Sequence, residues 1–123
     1  MTASAHHGGI GALYAMVIDV NDLETCGTFW SQVLGVDVLY QDDHYLRLGR
    51  QGERPTLLLQ KVSERQQGKN RVHIDLDVSN LEASVKRVQE LGGRQLQAVS
   101  EYDIEWVVMA DPDGNEFCLV KHS

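Results

Sequence analysis

A repeat at a fixed spacing limits the possible folds of this chain more than any other feature. The end of a strand, a helix-capping box and a glycine stop each occur twice, 58 residues apart. The matched pairs are Asp19 and Asp77, Val20 and Val78, Leu23 and Leu81, Glu24 and Glu82, and Gly35 and Gly93. Because the cap and the stop keep the same spacing as the strand, the sequence predicts a duplicated unit of one strand, one helix and three strands.

The first copy of this unit is predicted between residues 12 and 62. Asn21 is the predicted helix cap, Glu24 completes the capping box, and Gly35 ends the helix. Apolar residues keep helical spacing between these ends, at Leu23, Cys26, Trp30, Val33 and Leu34. The predicted strands cover residues 13–20, 36–40, 45–48 and 56–62.

The second copy is predicted between residues 71 and 121, after a polar hinge at 63–70. Its helix begins at the capping box 79–82 and ends at two glycines, and its strands cover residues 72–78, 94–100, 104–110 and 116–121. The turn 111–115, Asp-Pro-Asp-Gly-Asn, leads into the last strand, since its residues favour tight turns. In that strand the apolar residues on one face alternate with Cys118 and Val120 on the other.

Size and charge limit the class of protein. A length of 123 residues suits one domain, and we expect it to cover residues 12–123 behind a flexible tail at 1–11. The net charge of −7 argues against nucleic acid and anionic membranes as partners, because both attract basic surfaces. The sequence shows no apolar run of membrane-spanning length and no secretory signal, and its two cysteines are too few for a disulfide framework. These features predict a cytoplasmic protein.

Three motifs resemble those of the vicinal oxygen chelate superfamily, which includes glyoxalase I, bleomycin-resistance proteins, extradiol dioxygenases and fosfomycin-resistance enzymes. They are Val-Asn-Asp-Leu at 20–23 leading to Phe-Trp-Ser-Gln-Val-Leu-Gly at 29–35, His-Ile-Asp-Leu-Asp-Val at 73–78, and the turn 111–115. The stretches 58–62, 68–73 and 115–118 are similar to a glyoxalase-like branch found mainly in bacteria. The resemblance covers nearly the whole chain.

The resemblance implies an α+β fold of two βαβββ modules, 12–62 and 71–121, that form curled mixed sheets around a cleft with the helices outside. It also implies a homodimer whose ligand cavities lie at or near the subunit boundary. Alternation within the first strand separates an apolar set, which must face its helix, from a mixed set that faces the opposite way. In the superfamily the mixed face is the concave, ligand-holding side.

Four positions on that concave face correspond to the superfamily's metal ligands. A spacing of 58 residues relates Ala15 to His73 and Gln60 to Cys118, which predicts that all four converge on one floor. Ala15 has no donor atom, Gln60 is a weak neutral donor, and Cys118 replaces a carboxylate that Mg²⁺ or Mn²⁺ would need. The sequence therefore predicts no metal cofactor and vestigial metal positions at Gln60, His73 and Cys118. A Zn²⁺ ion held by these three residues is the alternative.

The remaining candidates for ligand binding surround this floor. Asp75 follows His73 on the same face and can orient its imidazole, or it can lie at the solvent edge. Tyr45, Tyr102 and Trp106 can stack on a flat ligand while their polar atoms reach water, although ordinary packing also accounts for each. Arginines in the neighbouring loops, at Arg50, Arg54, Arg65 and Arg71, either border the opening or are solvated loop charges.

Two functional classes follow from these residues and the resemblance. The first is a metal-free binding protein, like the bleomycin-resistance branch, that sequesters a drug or metabolite in an aromatic-edged cleft. Such a role in antibiotic resistance needs shape and stacking but no catalytic group. The second is a glyoxalase-type lyase or isomerase that uses His73 as its catalytic residue with an atypical metal site. Ala15 and Cys118 favour the binding protein, and a regulatory or structural domain is a third class.

Overall fold

A computed structural model of the chain describes residues 13–68, 70, 73–101 and 103–122. The predicted tail at 1–11 and Tyr102 lie outside the described residues. The first module contains β1 (Ala15–Val20), α1 (Leu23–Leu34), β2 (Asp37–Gln41), β3 (Tyr45–Gly49) and β4 (Thr56–Lys61). The second contains β5 (Ile74–Asp77), α2 (Leu81–Glu90), β6 (Arg94–Glu101), β7 (Ile104–Ala110) and β8 (Glu116–His122).

Each module forms one four-stranded mixed sheet, and the two sheets have the same topology. The strand order is β1-β4-β3-β2 in the first sheet and β5-β8-β7-β6 in the second. The first and last strands of each module pair in parallel, and the other neighbours pair in antiparallel fashion. The predicted fold of two βαβββ modules is therefore confirmed, and the two sheets do not close into one.

The helix caps lie one residue later than the sequence predicted. Asp22, rather than Asn21, caps α1, because its carboxylate accepts the backbone N–H of Thr25 at 2.9 Å. The Asn21 side chain instead donates to the backbone oxygens of Val62 and Glu64. Asn80 caps α2 in the same way through the N–H of Ala83. The predicted end of α1 is correct: Gly35 has a φ of 64°, a left-handed conformation that glycine adopts without steric cost.

The hydrophobic core lies between the two helices and one face of each sheet. Its centre is an aromatic cluster in which the rings of Phe29 and Trp30 on α1 contact the ring of Phe117 on β8, with centroids 4.8–6.0 Å apart. These three side chains are almost fully buried. Because α1 belongs to the first module and β8 to the second, this cluster joins the modules into one core.

The turn 111–115 makes the polar contacts between the modules. Asp111 is fully buried and accepts the indole N–H of Trp30 at 2.9 Å. Asp113 accepts the backbone N–H groups of Asn21 and Asp22 and the thiol of Cys26. Burial raises the pKa of Asp111, and burial together with the Asp113 carboxylate raises the pKa of Cys26. These perturbed groups thus lie on the helix side of the sheets, away from the predicted ligand floor.

Candidate functional site

The face of the first sheet that points away from α1 carries one half of the candidate site. Strand register aligns the side chains in rows, because directly paired residues point to the same face. One row contains Asp19, Gln60 and Tyr45. The next row contains Val17, Leu58, Arg47 and Tyr40. The Val17 and Tyr40 side chains are each 53% exposed, so large apolar groups on this face remain uncovered in a single chain.

Ala15 and Gln60 share this face but are not neighbours. Ala15 pairs with Thr56, whereas Gln60 pairs with Asp19, four residues further along β1. At about 3.3 Å per residue, this separates them by about 13 Å along the strand direction. One ion cannot bind at both positions.

The equivalent face of the second sheet forms a cavity of about 260 Å³. The side chains that line it include His73, Gln97, Val99, Trp106, Val108 and Cys118. Asp75 is the strand partner of Cys118 on β5 and shares its face. The predicted residues His73, Trp106 and Cys118 thus line one cavity, with Asp75 beside it, and every lining residue comes from the second module. His73 lies directly before β5 and is exposed, while Cys118 is half-buried.

The strand registers also identify which residue of the first module corresponds to Cys118. The repeat relates Val17 on β1 to Asp75 on β5. Val17 pairs with Leu58 on β4, and Asp75 pairs with Cys118 on β8. Leu58, not Gln60, is therefore the counterpart of Cys118. The spacing between equivalent residues of the two modules therefore grows from 58 residues at the helix to 60 at the last strand. The second module is longer between these points, because β6 and β7 have 8 and 7 residues whereas β2 and β3 have 5 each.

The presence of Leu58 rather than Gln60 among the related positions affects metal binding. The four related positions hold Ala15, Leu58, His73 and Cys118, and the first two have no donor atoms. Zinc in proteins needs at least three protein ligands, and harder ions need oxygen ligands that are absent from this set. Across residues 13–68, 70, 73–101 and 103–122, no group of three or more His, Cys, Asp or Glu residues is arranged to hold an ion. The donors on this face do not fit the metal site of the superfamily.

The sequence analysis missed a basic residue, Arg47, in the middle of the open face of the first sheet, which is the face that points away from α1. Arg47 on β3 is half-buried, and its Nη1 donates to the Thr56 hydroxyl at 2.7 Å. Its guanidinium carbon lies 4.9 Å from the centre of the Tyr14 ring, and that of Arg54 lies 4.8 Å from the same centre. Alternation from Tyr45 places Arg47 on the predicted ligand face, so the signal was present in the sequence.

Comparison with known families and structures agrees with this architecture. The family model described as a glyoxalase-like domain matches residues 15–120. A glyoxalase/bleomycin resistance protein/dioxygenase family enzyme from Burkholderia phytofirmans superposes with a TM-score of 0.72 and 16% identity, over 92% of this chain and 100% of that one. The fosfomycin resistance protein FosX from Listeria monocytogenes gives a TM-score of 0.75 and 15% identity, over 93% of this chain and 95% of the other. At these identities the likeness shows the fold alone.

Curated relatives match over a smaller share of their own length. Glyoxalase 1 from Caenorhabditis elegans is 24% identical over 112 residues, which covers 84% of this chain and 40% of the relative. Glyoxalase 1 from Caenorhabditis briggsae gives the same figures. This chain therefore spans less than half the length of the curated proteins it matches. None of the helices in the described part of the chain is both long and apolar enough to cross a membrane.

Proposed function

The chain belongs to the glyoxalase-like domain family, and from that premise we propose that it is a metal-free binding protein for small molecules. In this proposal an aromatic-edged cleft, formed by the open faces of the two sheets, sequesters a drug or a metabolite. The observation that carries the proposal is the replacement of donor atoms at two of the four related positions, Ala15 and Leu58. A surface without a complete set of metal ligands can still bind a small molecule through contact area and stacking.

The cavity on the second sheet supports this proposal. Trp106, Val99 and Val108 give it an apolar lining, and the indole of Trp106 offers a flat surface for an aromatic ring. Its volume of about 260 Å³ falls just below the range of roughly 300–1,000 Å³ that is common for whole ligands. We therefore propose that it holds one ring or chain of the ligand, while the rest lies on a neighbouring surface.

Self-association is part of the same proposal. The open face of the first sheet exposes Val17, Tyr40 and Tyr45 in a single chain. A ligand together with a second copy of the chain would remove this apolar surface from water. Light scattering during gel filtration tests this step, and a monomer at micromolar concentration would contradict it.

Tryptophan fluorescence tests ligand binding, because the two tryptophans have different environments. Trp30 is buried and bonded to Asp111, whereas Trp106 lines the cavity. We expect planar aromatic compounds to quench the emission of the wild-type protein and to leave that of Trp106→Phe unchanged. A blue-shifted emission maximum of the remaining Trp30, which is buried in the fold, shows that the variant is folded. A broad panel of aromatic compounds that never quenches Trp106 would refute the proposed cleft.

Metal analysis tests whether the protein is free of bound metal, as the proposal requires. Protein purified without added metal should contain well under one equivalent of zinc. Stoichiometric zinc that is lost in both His73→Ala and Cys118→Ala would overturn the metal-free proposal. It would favour the alternative, a glyoxalase-type lyase or isomerase, which the position of His73 in the cavity supports.

A further inference from the structure

We propose that Arg47 and Arg54, together with Tyr14, form a binding site for an oxyanion, namely a carboxylate or phosphate group, on the open face of the first sheet. This inference deepens the proposed function and rests on it, since it names the chemistry of one end of the ligand. The sequence analysis did not name Arg47, and it named Arg54 only as one of four loop arginines that either border the opening or are solvated. The site is built by three chain segments: the residue before β1, the centre of β3 and the loop before β4.

Tyr14 brings the two positive charges together. The guanidinium carbon of Arg47 lies 4.9 Å from the ring centre and that of Arg54 lies 4.8 Å from it. Attraction between a cation and the face of an aromatic ring favours both positions. Two like charges beside one ring repel each other, however, and an anion bound next to them would relieve that repulsion.

The contacts of Arg47 leave most of its hydrogen-bonding capacity unused. A guanidinium carries five N–H donors in a planar fork. The hydrogen bond within the described chain goes from Nη1 to the Thr56 hydroxyl at 2.7 Å. Stacking on Tyr14 satisfies the face of the guanidinium group but not its N–H edges. Those edges match the two oxygens of a carboxylate or phosphate.

Neither arginine has an acidic partner in the described part of the chain. The ion pair found there joins Arg87 to Glu90 at 3.6 Å on the outer surface of α2. This is notable because the chain has 18 acidic and only 11 basic residues, so carboxylates are plentiful. A pocket of positive charge on a protein with a net charge of −7 attracts anions that the rest of the surface repels.

The surroundings of Arg47 indicate that the anion is attached to an apolar body. Leu58 and Tyr40 are its direct strand partners on the same face, and Val17 continues the row beyond Leu58. Apolar neighbours exclude water when a ligand binds, which strengthens the interaction between guanidinium and oxyanion. The matching ligand is an aromatic or aliphatic acid, or a phosphate ester, whose apolar part covers Leu58 and Tyr40.

Nuclear magnetic resonance of the arginine side chains tests this site directly. The Nε–Hε signals of the ¹⁵N-labelled protein are followed during titration with benzoate, phenyl phosphate and the uncharged benzyl alcohol. We expect benzoate or phenyl phosphate to shift the Arg47 and Arg54 signals in a saturable way, and benzyl alcohol to leave them unchanged. The anion that saturates at the lower concentration identifies the preferred group, carboxylate or phosphate.

Matched variants distinguish anion binding at Arg47 and Arg54 from a general effect of positive charge on the protein surface. Arg47→Gln should weaken binding of the preferred anion at least about 10-fold, which is the effect of losing about 1.4 kcal/mol, and Arg54→Gln should weaken it less. The control is Arg50→Gln, which removes one positive charge from the loop that also carries Arg54. Arg50 contacts the Gly35 oxygen rather than Tyr14, so the affinity of this variant for the anion should match that of the wild type. Arg54 lies in an exposed loop, so its variant remains informative if Arg47→Gln does not fold.

The outcomes distinguish this inference from the proposed function. If neither anion shifts the Arg47 and Arg54 signals at millimolar concentration, or if Arg50→Gln weakens binding as much as Arg47→Gln, the oxyanion site is refuted. Quenching of Trp106 by uncharged aromatic compounds would still support the cleft in that case. Conversely, anions that bind at Arg47 without any aromatic compound quenching Trp106 would retain this site and refute the proposed cleft.

Discussion

Replacing Asp111 by Asn should destabilise the protein by breaking the polar contact between the two modules. Oδ2 of Asp111 accepts N–H groups from Trp30 at 2.9 Å and from the Asn115 side chain at 3.2 Å. Oδ1 accepts the backbone N–H groups of Asp113 and Asn115 at 3.0 and 2.8 Å. An asparagine has only one oxygen, so its NH₂ group must face two donors in either orientation.

The magnitude follows from the two hydrogen bonds that are lost. A hydrogen bond to a charged group contributes about 1.5–3 kcal/mol, so two of them contribute roughly 3–6 kcal/mol. Part of this is offset, because burial raises the pKa of Asp111 and the neutral side chain escapes that desolvation cost. We expect a net loss of about 2–4 kcal/mol, which lowers Tm by roughly 8–16 °C in a domain of this size.

Thermal unfolding followed by circular dichroism measures this loss, and a double-mutant cycle with Trp30→Phe identifies its source. The phenylalanine has no N–H group, so one of the two mismatched donors is already absent in that background. Asp111→Asn should then cost about 1.5–3 kcal/mol less than in the wild type. An equal cost in both backgrounds would show that the bond from Trp30 to Asp111 does not contribute to stability.

Two further predictions concern the helix ends. Gly93→Ala should cost about 2–3 kcal/mol through overpacking, since a Cβ there would lie 2.6 Å from Val88 Cγ1 and 2.9 Å from the Ala110 oxygen. Gly35→Ala meets no neighbouring atom and should cost only about 1 kcal/mol for the left-handed backbone; equal losses in urea denaturation would contradict this reasoning. The hydrogen bond from the Thr25 N–H lowers the pKa of Asp22 in the folded protein below its ordinary value of 3.8. The ionised Asp22 cap therefore stabilises the fold fully above pH 3.8, and this stabilisation is lost as the pH falls through the lower pKa of the folded state. The stability difference between wild type and Asp22→Ala should therefore narrow in acid, and a difference that widens below pH 3.8 would show that the sign is wrong.

The sequence predicted the fold well because the signals for it are local and occur twice. The capping boxes, the glycine stops and the turn 111–115 each specify the backbone of a few residues, and they recur in the same order. The caps were misplaced by one residue because Asn21 and Asp22 are both good capping residues. Their roles are separated by tertiary contacts, since the Asn21 side chain donates to the backbone oxygens of Val62 and Glu64 and leaves Asp22 to cap the helix.

The candidate site was less predictable, because alternation along a strand has a period of two residues. A shift of two residues leaves every side chain on the same face, so the sequence pattern could not distinguish Leu58 from Gln60. The distinction depends on the longer β6 and β7 strands, whose pairing is a long-range property. Arg47 was missed for a different reason, because its contact with the Tyr14 ring joins β3 to the residue before β1 and is not visible in the sequence.

A designed metal clamp tests the register on which the donor-poor floor depends. Val17 and Leu58 are directly opposite on neighbouring strands, so histidines at both positions can chelate one Cu²⁺ ion, the first-row divalent ion for which such sites have the highest affinity. Val17→His/Leu58→His should gain about 2.7 kcal/mol of stability at a metal concentration 100 times its Kd, which thermal unfolding with and without metal can measure. Ala15→His/Gln60→His is the matched control, because those positions lie about 13 Å apart along the strands and should gain nothing. If the control pair bound metal and the designed pair did not, Gln60 would return to the floor and the main support for a metal-free binding protein would be removed.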